Sequence, residues 1–347
     1  MNSGPNSLST QELEYFKNRA APFLERLSIG GEYQLFPLPG DSENQVFHLQ
    51  HEGKDLVLKF FAPITDAGHD PLANERAFYD HFQSGGEFPT ALAIDWDTDY
   101  RIGLLTYLNG RKLRQEELNL TAIQQAVDFI TTVNQNRETV ATDSMPYAKG
   151  ACFSIREHLL EIDQCLNDLR PGEDTDEKVR QFILDELSPT WASVRETIVA
   201  QCETGGLELD QAVDEPNRIL SPGDFGLHNA IITPERELRF VDFDEGGWDD
   251  PARLICNMFC PPDLPIKHLH WDTVIEGFEQ ISGFEPMVAI RARVLVPAYQ
   301  VKRSGLMMNE FVSEASGVLT GARRSRTRMV SQIMEARQLL ISAKDGT

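Results

Sequence analysis

Apolar residues recur at three- and four-residue spacings from Gln11 to Leu27, where Leu13, Phe16, Ala20, Phe23, Leu24 and Leu27 share one face. That spacing predicts an amphipathic helix behind a loose tail at residues 1–10. From Tyr33 to Tyr107 the pattern shortens to β-like runs broken by Gly and Pro. Val46–Gln50 and Asp55–Phe61, separated by His-Glu-Gly-Lys, read as a hairpin. Asp70-Pro71 supplies an N-cap and a first-turn proline, which opens a helix through about Phe82. Arg101–Leu108 reads as a buried strand ending at Asn109-Gly110. Beyond residue 110 helical spacing dominates. Thr121–Gln124 fits a capping box ahead of Ile123, Ala126, Val127, Ile130 and Val133, and two further stretches (153–169 and 175–203) flank Arg170-Pro-Gly. A β island at 218–243 interrupts before helices resume from Pro251 to Ala343. The expectation is an α+β chain in two lobes: a small β-rich lobe with one key helix at 11–109, and a larger, mainly helical lobe at 110–347 that carries the island and its loops at 218–250.

The island is the most informative stretch. Ala230–Thr233 and Leu238–Val241 are apolar enough for strands, with Pro234–Glu237 as the turn. In a hairpin centred there with Ile232 opposite Arg239, Asn229 faces Asp242 at the open end. An amide oxygen and a carboxylate together suit Mg²⁺, a hard cation that takes oxygen ligands and keeps room for phosphates. Asp224, in a Gly-flanked loop five residues before Asn229, can aim a third carboxylate at what the metal holds.

The small lobe offers a matching cation. Period-2 alternation places Lys59 on one strand face with Val57 and Phe61, where an ammonium needs an anionic partner. Glu75 falls on the same helical stripe as Phe78 and Phe82 and projects from the apolar side.

The order Lys59, Glu75, Asp224-x-x-x-x-Asn229, Asp242 resembles the aminoglycoside phosphotransferase and choline kinase group, small-molecule relatives of protein kinases. The resemblance spans about residues 31–250 and is most specific at Ser221–Asn229, Phe240–Asp244 and Trp248-Asp-Asp-Pro251. The Phe-Gly-x-His-Asn and Gly-Trp-Asp-Asp-Pro wording looks like bacterial members associated with surface-polysaccharide gene clusters.

The resemblance implies a bilobal protein-kinase-like fold and an ATP- or GTP-dependent transfer of a phosphoryl group to a hydroxyl of an amino sugar, sugar or amino alcohol. Asp224 would take the proton of the acceptor hydroxyl. Asn229 and Asp242 would hold Mg²⁺ on the nucleotide phosphates, and Lys59, oriented by Glu75, would bind those phosphates. The segment from Leu38 to Gln45 resembles the phosphate-covering loop, with Gly40 allowing close approach and Ser42 and Asn44 offering donors. Leu105–Leu108 would be the hinge, meeting the purine through the backbone at Thr106 and Leu108, and Gly110 would keep the cleft mouth open. The chain departs from the group twice: Pro222 stands where a histidine usually precedes the base by two residues, and Leu254 replaces an aspartate. Asp244, His228 and Asp249 are candidates for substrate contact or for bracing the loop. Arg156, Glu157 and His158 are further candidates on the helix after Ala151, and Tyr299, Lys302 and Glu310 lie on helices able to close an acceptor pocket.

Composition sharpens this picture by exclusion. Thirty-two Lys and Arg against 54 Asp and Glu give a net charge of −22, which disfavours nucleic acid and anionic membranes as partners and is compatible with a cationic substrate. No apolar run approaches the ~20 residues of a membrane span, and the polar start lacks the features of a secretory signal. The five scattered cysteines read as reduced thiols of a cytoplasmic protein. Two other classes compete with a kinase. A nucleotide-binding pseudokinase with a regulatory or scaffold role is motivated by Pro222. A phosphohydrolase would use Asp242-x-Asp244 for an aspartyl nucleophile, but Gly246 stands where that motif wants Thr or Val. The oligomeric state is left open.

Overall fold

The computed structural model describes residues 8–39, 44–65, 68–85, 88–141, 144–173, 175–261, 263–312 and 326–346. Gly40 and Ser42 lie outside them. Contacts divide the chain into two compact units. The first takes Met1–Leu113, Thr139–Lys149 and Asn229–Gly247; the second takes Arg114–Glu138, Gly150–His228 and Trp248–Thr347. The island at 218–250, which the sequence pattern groups with the helical part, is thus shared out, with its hairpin in the first unit.

In the first unit, α1 (Thr10–Arg26) starts at a Ser9 N-cap completed by Glu12 as a capping box. A five-stranded antiparallel sheet follows, in the order β1 (Gln34–Pro37), β2 (Gln45–His51), β3 (Lys54–Phe60), β5 (Ile102–Thr106), β4 (Ala93–Asp97). The β2–β3 turn is two residues, Glu52 and Gly53, both at positive φ (47° and 75°), the geometry that matches strand twist in tight hairpins. One face of this sheet buries Phe47, Leu49, Leu58, Phe60, Ile102 and Leu104 against Ala20, Phe23 and Leu24 of α1. Strand alternation sends Lys59 to the other face. Its direct neighbours there are Val46 on β2 and Gly103 on β5, with Val57 and Leu105 one pair along. A Cβ on Gly103 would lie 2.5 Å from the Trp96 ring, so the strand needs glycine at that point. α2 (Pro71–Gly85) is the helix expected behind Asp70, whose carboxylate accepts from the Leu72 amide at 3.1 Å.

A second, three-stranded sheet in this unit has the order β6 (Arg111–Lys112), β8 (Ala230–Ile232), β9 (Leu238–Phe240). Its register corrects the expected one. Ile232 pairs with Leu238, and Ile231 with Arg239, so Asn229 lies opposite Val241 and not opposite Asp242. The Val241 amide donates to the Asn229 carbonyl at 3.1 Å. The turn is Thr233–Glu237, one residue longer than the apolar runs suggested, because Thr233 belongs to the turn and its carbonyl accepts from the Arg236 amide. Gly110 is set by this sheet as well. A Cβ there would meet the Ile232 carbonyl oxygen at 2.6 Å, so its role here is close approach to β8.

The second unit is helical. It contains α3 (Leu120–Val133), α4 (Ile155–Asp168), α5 (Glu177–Gln181), α6 (Ser188–Gly205), α7 (Pro251–Phe259), α8 (Trp271–Phe278), α9 (Pro286–Leu306), α10 (Asn309–Val312) and α11 (Arg326–Asp345), with the short strand β7 (Ile219–Ser221). α5 runs into α6 through a π-helical stretch at Phe182–Leu187. α9 is the hub, packed against α4, α6, α7 and α11. The N-cap of α3 is Asn119, whose side chain accepts from Ala122; Thr121 lies inside the helix and does not cap it. Asn wins because it precedes the turn in extended conformation, where its oxygen reaches the unpaired amides.

α8 meets α3 at Gly277, where a Cβ would fall 1.9 Å from Val127 Cγ1. Gly277→Ala gains about 1 kcal/mol of helix propensity. The overlap is with a stiff β-branched side chain, and overpacking costs about 1–3 kcal/mol. A lowered urea midpoint with an unchanged slope is the expected result.

Candidate active site

Three elements of the first unit converge on one ammonium group. Lys59, on β3, is 4% exposed, and its Nζ lies 2.5 Å from Glu75 Oε2 and 2.6 Å from Asp242 Oδ1. Asp244 Oδ2 stands 4.0 Å away. Glu75 projects from α2 with 1% exposure, so the stripe that carries Phe78 and Phe82 aims it inward. Asp242 follows β9 at φ +73°, a left-handed conformation that is uncommon for a residue with a Cβ and is found where structure over-determines the backbone. The surroundings account for it. The Asn74 amide donates to the Gly246 carbonyl at 2.6 Å, and Phe243 stacks on Phe78 at 5.6 Å, so α2 pins the loop on both sides of Asp244. A Cβ on Gly246 would lie 2.6 Å from the Phe78 ring.

The charge balance of this cluster is uneven: three carboxylates meet one lysine. Burial works against the Lys59 ammonium, but Asp242, Glu75 and Asp244 outweigh it and hold its pKa well above the ordinary value. Burial pushes Glu75 up to about 8, with Lys59 pulling down and the two aspartates pushing further up. Asp244 rises to about 6 through burial; Lys59 acts downward and Asp242 and Glu245 upward. The cluster is short of positive charge, and its carboxylates are hard oxygen donors of the kind that Mg²⁺ takes. Among the described residues no group of three or more His, Cys, Asp or Glu, this cluster included, is arranged to hold a metal ion as it stands.

Asn44 has a different position from that of a free phosphate donor. Its amide donates to Asp244, and its oxygen accepts from the Ala62 amide at 2.9 Å, which ties the start of β2 to the acidic loop. At the strand end Thr106 donates its backbone amide to Leu92 at 2.9 Å and accepts from the Leu92 amide through its hydroxyl. That amide is therefore committed to Leu92, just ahead of β4, and Leu108 lies beyond β5. The apolar face around Lys59, formed by Val46, Val57 and Leu105, did not emerge from the sequence as a site. Only strand pairing shows which alternate residues share the lysine's side.

The second unit positions Asp224. Gly223 takes φ +85°, its amide donates to Ser221 Oγ at 3.2 Å, and its carbonyl accepts from Asn257 of α7 at 3.0 Å. Phe225 stacks on Phe129 at 5.7 Å, which anchors the other side. These ties hold a loop in which Pro222 leaves no histidine. Desolvation acts against the Asp224 carboxylate, but the His228 hydrogen bond, helped by Arg303 and Arg253, keeps its pKa below the usual range.

The remaining candidates form braces. Asp249 is fully buried and paired with Arg253 at 2.9 Å. Asp250 caps α7 through the Ala252 amide and pairs with Arg291. His158, also fully buried, bridges Tyr299 Oη at 2.9 Å and Asp250 Oδ2 at 3.1 Å. Glu157 accepts from the Phe153 amide at the start of α4, and Arg156 pairs at the surface with Asp210. Lys302 pairs with Glu161 at 2.7 Å, and Arg328 with Glu310 at 3.2 Å.

The model of the phosphotransferase enzyme family matches residues 35–253, more than half of the 347 in the chain. The chain belongs to this family. Among solved structures, spectinomycin phosphotransferase APH(9)-Ia in complex with ADP and spectinomycin aligns over 98% of this chain and 99% of its own, at TM-score 0.60 and 13% identity. Choline kinase LicA from Streptococcus pneumoniae aligns over 96% and 100% at TM-score 0.58 and 15% identity. Plasmodium vivax ethanolamine kinase aligns over 95% and 90% at TM-score 0.59 and 11% identity. At such identities the likeness is one of fold, and that fold is kinase-like. No curated protein matches the sequence. This phosphotransferase is accordingly a small-molecule kinase, which sets aside the reading of Asp242-x-Asp244 as a phosphohydrolase nucleophile. No helix among the described residues is long and apolar enough to cross a membrane.

The raised Asp244 value has a consequence for stability. A carboxyl whose folded pKa exceeds its unfolded one stabilises the fold fully at acid pH and loses that contribution as pH rises through the folded value. In metal-free buffer, stability from this group therefore falls across about pH 4 to 7 as Asp244 ionises near 6. Urea titrations at successive pH values should show that decline, flattened in Asp244→Asn.

Proposed function

We propose that this family member transfers the γ-phosphoryl group of ATP or GTP to a hydroxyl of a small acceptor such as an amino sugar, a sugar or an amino alcohol. The observation that carries the reading is Lys59 held between buried Glu75 and Asp242, a cation fixed in place beside surplus carboxylates. In this reading Lys59, held in place by Glu75, binds the nucleotide phosphates, and the apolar face of Val46, Val57 and Leu105 receives the base, with the Leu108 backbone beside it. Asn229 and Asp242, with Asp244 next to them, would hold Mg²⁺, which neutralises phosphate charge when bound. Asp224 accepts the proton of the acceptor hydroxyl as its oxygen bonds to phosphorus. The bond to the β–γ bridging oxygen breaks, and the nucleoside diphosphate leaves with that electron pair.

The net charge of −22 favours cationic acceptors at the encounter stage. The solved relatives are named for such molecules or carry them: spectinomycin, choline and ethanolamine. A cytoplasmic location belongs to the same reading, since the nucleotide is supplied there.

The test is ADP or GDP release with Mg²⁺ and a panel of amino sugars, sugars and amino alcohols. Asp224→Ala should lower acceptor-dependent turnover about 10²- to 10⁴-fold, the usual contribution of a general base, with nucleotide binding retained. Asp242→Ala and Lys59→Met should instead weaken Mg-nucleotide binding in calorimetry. Turnover that survives Asp224→Ala sinks the assignment of the base. Tight nucleotide binding without turnover across the panel moves the protein to the pseudokinase reading that Pro222 motivates.

A further inference from the structure

We propose that His228 is the positioning residue for Asp224, supplying from the C-terminal side of the loop the support that Pro222 does not give; this rests on Asp224 acting as the base. His228 belongs to a single 3₁₀ turn, Leu227–Asn229, and its Nε2 lies 3.3 Å from Asp224 Oδ2. That distance is at the long end for a hydrogen bond, as such contacts often are before substrate arrives. The His228 side chain is 10% exposed, whereas that of Asp224 is 52% exposed. The imidazole is therefore the fixed partner and the carboxylate the presented one.

The other ring nitrogen decides what His228 can do. Nδ1 is buried and has no hydrogen-bond partner among the described residues. It lies against Gly226, where a Cβ would be 2.6 Å from Nδ1 and 3.0 Å from Pro261 Cβ, so the ring is seated on bare backbone. A proton on Nδ1 would be a buried donor without an acceptor, at a cost of about 1–3 kcal/mol. A proton on Nε2 meets a carboxylate. The geometry thus selects the Nε2–H tautomer, with the imidazole a donor to Oδ2 and no outlet on its far side for relaying a proton. The acceptor's proton therefore goes to the Asp224 carboxylate and not through the imidazole. Arg303 and Arg253 also act on Asp224 by charge.

Two measurements on the full chain test this. In ¹⁵N-histidine-labelled protein, the His228 signals, assigned by their loss in His228→Gln, should show the proton on Nε2 and should shift in Asp224→Ala. An Nδ1–H pattern, or indifference to Asp224→Ala, overturns the proposal. The second measurement is ADP release from Mg-ATP with water as acceptor, alongside Mg-ADP binding. His228→Phe keeps a ring without a donor, and should slow release about 10- to 100-fold, the effect of a misplaced catalytic group, with binding unchanged. His228→Gln retains an N–H donor at similar reach and should recover most of that loss. A purely structural ring would give the opposite order and overturn the proposal. A wild-type chain that binds no Mg-nucleotide refutes the phosphotransferase reading instead, while the nitrogen spectrum still decides the pairing.

Discussion

The burial of a single ammonium group organises the first unit. Removing an ion from water costs several kcal/mol even after relaxation, and only close counter-charges repay it. Lys59 finds them 16 residues away on α2 and 183 residues away after β9. The pair with Glu75 fixes α2 to the sheet, and the pair with Asp242 fixes the post-hairpin loop to both. Removing Lys59 would leave Glu75 buried without its counter-charge, so the ammonium is the tie common to all three elements. Phe78 and Asn74, on the same helix as Glu75, carry that order into the backbone around Gly246.

In the proposed function the same cluster would bring a cation and a nucleotide together. With three carboxylates around one lysine, a bare polyphosphate would add negative charge to a site that already carries an excess. A divalent cation would reverse that balance; burial first, and the neighbouring carboxylates after it, raise the pKa values of Glu75 and Asp244. Metal and phosphate would then be coupled ligands, each improving the site for the other.

The second unit solves a different problem: it presents a carboxylate and holds its loop rigid. Asp224 is exposed, but what supports it is not. Asn257 and Ser221 hold Gly223, Phe129 holds Phe225, and His228 rests on Gly226. Beneath them Asp249 with Arg253, and Asp250 with His158 and Arg291, form buried charge pairs whose partners come from α4, α7 and α9. Pro222 is tolerable in this setting because the loop's hydrogen bonds run through Gly223 and the residues that follow it.

The sequence alone determined the elements whose signals are local. The α1 and α2 helices, the β2–β3 hairpin and the strand at β5 follow from periodicity and turn chemistry. Lys59, Glu75, Asp224, Asn229 and Asp242 stand out because polar groups at apolar or Gly-flanked positions need a reason. The edge strands β1 and β4 escaped because they are short and half exposed, and the cap of α3 was misassigned because Thr121 and Asn119 both offer a capping oxygen. Everything that depends on pairing was decided by tertiary structure. A one-residue change of register placed Asn229 opposite Val241, since apolar runs do not mark where a turn closes. Asn44 is tied to Asp244 across 200 residues, and Asp249 and His158 are committed to buried braces, because a side chain's partner is set by packing and not by spacing.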